Sequence, residues 1–247
     1  SFRDLLSEIT RPSGKYKHRV WMWRGQSDLS WRLDSSAFRR IQASSGPKIG
    51  TLEEQLVRYE QTLLQHATHG GHRYDQGREL SDFELLANLQ HHGAATRLVD
   101  FTRNALIAIW FACFENPKKP GLLVAFDSYY LEGYEKELEA RPYMEVVKKL
   151  GDKNPVTWQP PSYSHRIDVQ HSQFIYSKVS SNPGGSLITP SDDEAYRKFK
   201  LSPILKQEAV EVLFEVFDIS KEKLFPDIDG FAQSNSVIED AHNMHRW

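Results

Sequence analysis

The sequence predicts an α+β protein with one domain and a small central β-sheet, split or continuous, flanked by helices. Three observations predict it. Residues 105–114 are apolar almost all round, which suits a helix buried on most faces. Residues 20–23 and 121–126 are short unbroken apolar runs bounded by turn residues, which suits buried strands. The segments between them do not alternate as regular strand–helix–strand units, so a doubly wound parallel sheet has no support.

In chain order, 2–9 reads as an amphipathic helix that stops before the turn signal Arg11-Pro12-Ser13-Gly14. Val20-Trp21-Met22-Trp23 reads as a buried strand with Arg24-Gly25 at its end. Residues 52–66 carry helical spacing through Leu52, Leu56, Tyr59 and Leu63, and Gly70-Gly71 follows as a breaker. Ser81 and Glu84 form a capping box for a helix over 82–90, which ends at His91-His92-Gly93. Residues 96–101 read as a short strand before the apolar helix, and Asn116-Pro117 ends that helix. The stretch 127–165 is charged and irregular apart from a helix over 143–150. A strand is expected around Phe174-Ile175-Tyr176 and another around Phe199 and Leu201. Pro203 suits the first turn of a helix burying Ile204, Leu205, Val210, Val212, Leu213 and Phe217, and a second short helix precedes Leu224-Phe225-Pro226.

Composition excludes several classes. The 247 residues are 39% hydrophobic and 26% charged, ordinary values for a soluble globular chain. No apolar run is long enough to span a bilayer, so no membrane partner is expected. Ser1-Phe2-Arg3-Asp4 shows no signal-peptide pattern. A single cysteine, Cys113, rules out an internal disulfide framework and fits a reducing, cytoplasmic setting. Its place in the apolar helix makes it an inert thiol rather than a nucleophile. Net charge is −2 overall, but residues 1–50 carry ten Lys/Arg against four Asp/Glu, a net of +6. Such a block is either a solvated face or the edge of an anion site. His66, His69 and His72 stand three apart with Gly70-Gly71 between them, which reads as a solvated loop rather than a metal site. Phosphate-loop and dinucleotide glycine fingerprints are absent.

Two clusters stand out. Gln90 through Thr102 joins two core helices and is dense in groups that donate, accept or stack. Its structural alternative is that Asp100 and Thr102 cap the next helix while Arg97 pairs with a core carboxylate. Trp23-Arg24-Gly25-Gln26 places a guanidinium at the end of a buried strand, where it binds either a phosphate or carboxylate or an internal acid. Gly25 lets a ligand or a second backbone come close.

These clusters carry a resemblance to the FRG-domain family. Its first motif resembles Trp23-Arg24-Gly25-Gln26-Ser27, followed by Trp31, Leu33 and Arg39. Its second resembles Gln90-His91-His92-Gly93 with Thr96-Arg97-Leu98-Val99-Asp100-Phe101-Thr102, then Ala108 and Phe111-Ala112. Its third resembles Arg166-Ile167 with Gln170 and Phe174, and its last Leu224 through Gly230. Order and spacing agree over about 20–232, so 1–247 is read as one FRG-type domain. Ala94-Ala95 departs from the family's frequent Pro before Thr, and Ser172 from its frequent Gly.

A weaker resemblance is to ADP-ribosyltransferases of the Arg-Ser-Glu class, and it makes the expected fold ADP-ribosyltransferase-like. Arg24-Gly25 matches the first position of that class, Thr96 or Thr102 the second, and Gln170 falls near the third, where an amide replaces the catalytic Glu. Asp100 or Asp168 is a substitute carboxylate. The resemblance implies a nucleotide cleft in which Arg24, His91, Thr96, Asp100 and Gln170 serve chemistry, while Arg24, Gly25, Gln26, His92, Arg97 and Thr102 bind ligand. NAD is implied as a substrate rather than a resident cofactor, with a small-molecule nucleotide as partner and the macromolecular acceptor undefined. The implied activity is ADP-ribosyl transfer or NAD glycohydrolysis. The alternatives are a non-catalytic nucleotide- or partner-binding module and a nucleic-acid-acting effector domain.

Overall fold

The structure, a computed structural model, describes residues 1–11, 19–133, 140–162, 164–190 and 192–235. The elements in chain order are α1 (Phe2–Ile9), β1 (Trp21–Gln26), α2 (Ser36–Ala43), α3 (Leu52–His69), β2 (Tyr74–Asp75), β3 (Arg78–Glu79), α4 (Asp82–His91), β4 (Val99–Thr102), α5 (Ala105–Cys113), β5 (Gly121–Asp127), α6 (Tyr143–Lys148), β6 (Val156–Trp158), α7 (His165–Val169), β7 (Ser172–Tyr176), β8 (Tyr196–Leu201), α8 (Pro203–Glu215), α9 (Lys221–Leu224) and α10 (Ile228–Ser234). Residues 12–14 of the expected first turn lie outside the described residues.

The fold is α+β, built on a six-stranded sheet in the order β6-β7-β4-β1-β5-β8, with every neighbouring pair antiparallel. β1 and β5 pair over six residues and β4 and β7 over four, but β1 meets β4 only at Trp23 opposite Thr102. The sheet is therefore two three-stranded halves joined at one point. Beyond Trp23 the two strands diverge.

Strand alternation sends Trp21, Trp23 and Gly25 to one face and Met22, Arg24 and Gln26 to the other. On the first face Trp23 joins a core with α5, α8 and α1 through Ile109, Trp110, Leu213 and Phe2. On the second, Met22 packs with Phe101, Phe126 and Ile175. A third core gathers Phe83, Tyr143, Trp158 and Tyr176 from α4, α6, β6 and β7. α5 crosses β1 at Gly25, where an added Cβ would sit 1.9 Å from the Ala108 carbonyl oxygen and 2.5 Å from the Ala112 nitrogen. The glycine of the Arg-Gly pair thus serves helix-on-strand packing, because a second backbone comes close there.

Several expectations are corrected. The strand expected at 96–101 begins only at Val99, because the Thr96 and Arg97 amides go to Ser36 Oγ (2.9 Å) and Glu60 Oε1 (2.6 Å) instead of a neighbouring strand. Asp100 does not cap α5; Asn104 does, accepting from the Leu106 amide at 3.0 Å. Ile204 is 81% and Phe217 40% exposed, because the buried stripe of α8 is Lys206, Ala209 and Leu213 and Phe217 lies beyond the helix end. The irregular stretch 127–165 also holds β6, and 36–43 is helix α2. Among the described residues no helix is long and apolar enough to cross a membrane.

Candidate functional site

A cleft of about 460 Å³ opens where β1 and β4 part. β1 contributes Arg24, Gly25 and Gln26, β4 Asp100 and Thr102, α4 Gln90 and His91, and α7 Arg166 with Gln170 just beyond it. Trp110, Phe111 and Phe114 from the end of α5, with Trp31 and Phe225, supply aromatic walls. Arg24, the Gln90–Thr102 segment and Gln170 therefore converge on one recess.

Not every expected residue reaches it. His92, Thr96 and Arg97 are not among the lining residues. His92 is largely exposed, with Nδ1 3.6 Å from Asp229. Thr96 is fully buried and donates a very short hydrogen bond to Gln90 Oε1. Arg97 sits in the core behind the cleft. Its Nε meets Glu60 at 2.6 Å, Nη1 meets Glu53 at 3.1 Å and Nη2 donates to the Tyr143 hydroxyl at 2.8 Å. Burial pulls the Arg97 pKa down, but Glu60, the Tyr143 hydroxyl and Glu53 outweigh it and hold it above the ordinary value. Arg97 is the internal pair that the sequence allowed for, and it fastens the loop before β4 to α3 and α6. Asp168 is exposed and accepts from Ser162 Oγ at 2.6 Å, away from the cleft lining.

Arg24 behaves differently. It reaches across the gap between the sheet halves, and Nη1 donates to the Asp100 backbone oxygen at 2.7 Å. Its Nε is buried with no hydrogen-bond partner. No carboxylate forms an ion pair with it among the described residues. Burial lowers its pKa, Asp100 opposes that shift and the neighbouring Arg39 adds to it. A half-buried guanidinium with unused donors inside a recess is a ready anion ligand.

The floor around it is a polar relay. Gln90 accepts from Thr96 through Oε1 and donates from Nε2 to Asp100 Oδ1 at 2.7 Å, which fixes that carboxylate at the cleft. Thr102 Oγ1 donates to the Gln170 backbone oxygen at 2.7 Å and accepts from the Asn104 amide at 3.0 Å. Gln170 Nε2 donates to the Leu224 oxygen at 2.8 Å. The Gln170 amide is thus committed to holding α9. Gln26 Nε2 donates to the Arg32 oxygen at 3.2 Å, and its Oε1 is buried without a partner.

The Arg166 segment and the Leu224–Gly230 segment meet each other. Arg166 grips Asp227 with Nε and Nη2, both at 2.6 Å, and its guanidinium lies 4.8 Å from the Phe225 ring centre. Asp227 also caps α10. Burial raises the Asp227 carboxyl, but hydrogen bonds from Arg166 and the Gly230 amide prevail and keep its pKa below the usual carboxylate range. His91 lies beside this pair, 3.7 Å from Asp227. Burial first and the Arg166 charge second push its pKa down to about 4, so the ring is neutral at pH 7 despite Asp227. Neutral His91 offers a hydrogen bond, not a charge.

Behind the wall formed by Ser27 and Glu115 stands Lys206, 1% exposed. Its ammonium donates to the backbone oxygens of Ser27 (2.9 Å), Glu115 (2.8 Å), Asn116 (2.9 Å) and Lys119 (3.2 Å). Burial lowers its pKa. Cys113 is pushed up to about 12 by burial, against a smaller opposing effect of Lys206, so it is an inert thiol at pH 7. Gln90, Arg166, Asp227, Phe225 and Lys206 had no individual role in the sequence reading. Arg166, Asp227 and Phe225 stood in segments read as resembling motifs, but Lys206 had no signal, since its helix read as apolar.

The FRG domain family matches residues 19–120, the span that holds β1 through α5 and both long motifs. The resemblance read from those motifs holds over that span. The Arg166 and Leu224–Gly230 motifs lie beyond it. No curated protein and no solved structure is significantly similar to the chain.

Proposed function

We propose that the cleft of this FRG-domain chain binds a nucleotide of the NAD kind. The observation that carries this reading is Arg24: a guanidinium in the gap between two sheet halves, its Nε unclaimed, within a 460 Å³ recess. A diphosphate matches its fork geometry. The aromatic walls supply flat faces for an adenine or nicotinamide ring. The volume lies within the ordinary range for small-molecule pockets.

Asp100 is the carboxylate that this reading assigns to glycosidic chemistry, since Gln170 carries no charge. In glycohydrolysis the bond from ribose C1′ to the nicotinamide nitrogen breaks, and nicotinamide leaves with the electron pair. Water adds at C1′ and its proton passes to Asp100 or to solvent. Asp100, oriented by Gln90, would meet the oxocarbenium charge that develops in between. A non-catalytic binding module is the second reading, favoured by the Gln170 amide being spent on Leu224.

The test is calorimetric titration with NAD and ADP-ribose, alongside chromatography of NAD incubated with the protein. Binding plus nicotinamide release that Asp100→Asn abolishes, with binding retained, supports the catalytic reading. Binding without release selects the binding module. No binding of either ligand by the folded protein sinks both.

A further inference from the structure

Part of the N-terminal excess of positive charge, Arg39, Arg40 and Lys48, has no use in the reading above. From residue 35 to residue 52 the chain contains Arg39, Arg40 and Lys48 and no Asp or Glu. Arg39 and Arg40 lie exposed on α2, and Arg39 is near enough to Arg24 for its charge to be felt there. Further along, a shallow groove of about 470 Å³ is lined by Arg40, Lys48, Arg58 and Tyr59, with no carboxylate among its lining residues. Glu53 holds Arg97 and the Val179 amide, and Glu54 caps the Thr51 amide. Among the described residues, none of Arg39, Arg40, Lys48 and Arg58 forms an ion pair.

Aromatic rings accompany these cations. Arg40 lies 5.4 Å from the Tyr59 ring centre, and Trp31, 47% exposed, stands at the cleft lining. Alternating guanidinium groups and flat rings are what a single nucleic-acid strand uses, with phosphates on the cations and bases on the π-faces. An acidic peptide would engage the charges but leave the rings idle.

We infer that the ligand of the cleft is the terminal unit of a single-stranded nucleic acid, whose preceding nucleotides run over α2 into the Arg40–Lys48–Tyr59 groove. This rests on the nucleotide reading of the cleft and names the polymer that would present the nucleotide.

The experiment is fluorescence anisotropy with labelled single-stranded RNA and DNA of about 16 nucleotides, the upper site size of a single binding module, at several salt concentrations. The wild type should bind, with affinity falling as salt rises. The Arg40→Glu, Lys48→Glu double variant should bind at least about tenfold more weakly, and its salt slope should drop by about 1.4, or about 0.7 per lost phosphate contact on a single strand. NAD titration should be unchanged in that variant, which also shows that it is folded. Equal oligonucleotide affinity in the variant overturns the inference. So does polyglutamate competing as well as unlabelled oligonucleotide, which would assign the groove to acidic protein. Oligonucleotide binding lost in the double variant but unaffected by Arg24→Ala would keep the groove and refute the terminal nucleotide in the cleft. Loss of NAD binding by Arg24→Ala, with no oligonucleotide bound by wild type, would keep the cleft and remove the nucleic acid.

Discussion

Arg24→Ala separates ligand binding from architecture. Among the described residues Arg24 makes one hydrogen bond, to the Asp100 backbone oxygen at 2.7 Å, and no ion pair. A hydrogen bond to a charged group contributes about 1.5–3 kcal/mol. Against that loss stands the relief of a desolvated guanidinium, since burial is the largest influence on its pKa and acts against the charge. The two offset, and the net change should stay within about 1 kcal/mol, or about 2–4 °C in Tm for a chain of this size. The ligand side is not offset. Losing two charge-assisted bonds to a diphosphate costs about 3–4 kcal/mol, or a factor of about 10² to 10³ in Kd. Urea and thermal melts beside titration with ADP-ribose measure both. A Tm drop well beyond 10 °C would show that Arg24 mainly stitches the two sheet halves together. An unchanged Kd in a folded variant would remove it from the site altogether.

Three further outcomes follow from the geometry. Lys206→Met should leave four backbone oxygens without their shared donor and destabilise by about 2–4 kcal/mol, given about 1–3 kcal/mol for each buried group left unsatisfied and partial relief of the buried charge; melts check this, and a change below 1 kcal/mol would contradict it. Gly25→Ala should push α5 off β1, because the new methyl would meet backbone at 1.9 Å; a loss above about 3 kcal/mol, beyond ordinary overpacking, is expected, and a neutral result in urea melts would refute the contact. His91 titrates lower in the folded chain, at about 4, than the ordinary value of 6.5, so the unfolded chain takes up the proton first as pH falls. Its contribution is complete above pH 6.5 and shrinks toward pH 4, a loss of about 2 kcal/mol by pH 5; His91→Gln should flatten that slope in melts at pH 7 and 5.

How much of this was legible depended on the range of the signal. The capping box at Ser81 and Glu84, the apolar helix after Asn104 and the Gly121–Phe126 run are local, and they read correctly from neighbours a few residues apart. β6 was not legible, because three residues at a sheet edge carry too little pattern and pairing with distant residues of β7 defines them. α2 carries just three buried residues, Ala37, Phe38 and Ile41, on a polar background. Arg24 and Arg97 show the same limit at the site. Both are arginines beside strands, and local sequence treats them alike. Glu60, 37 residues before Arg97, neutralises one, while among the described residues no carboxylate forms an ion pair with the other.

The sequence by itself determined the fold class, the order of the main elements and which motifs were chemically dense, because hydrophobic period, caps and turn residues act over a few positions. Tertiary structure decided what those motifs do. It splayed β1 from β4 to open the cleft, buried Arg97 and left Arg24 in the gap, and it docked Asp227 and Leu224 onto Arg166 and Gln170 from more than 50 positions away. Such choices depend on which distant charge or carbonyl arrives beside a side chain, and burial then turns that arrival into a fixed pair or an open donor.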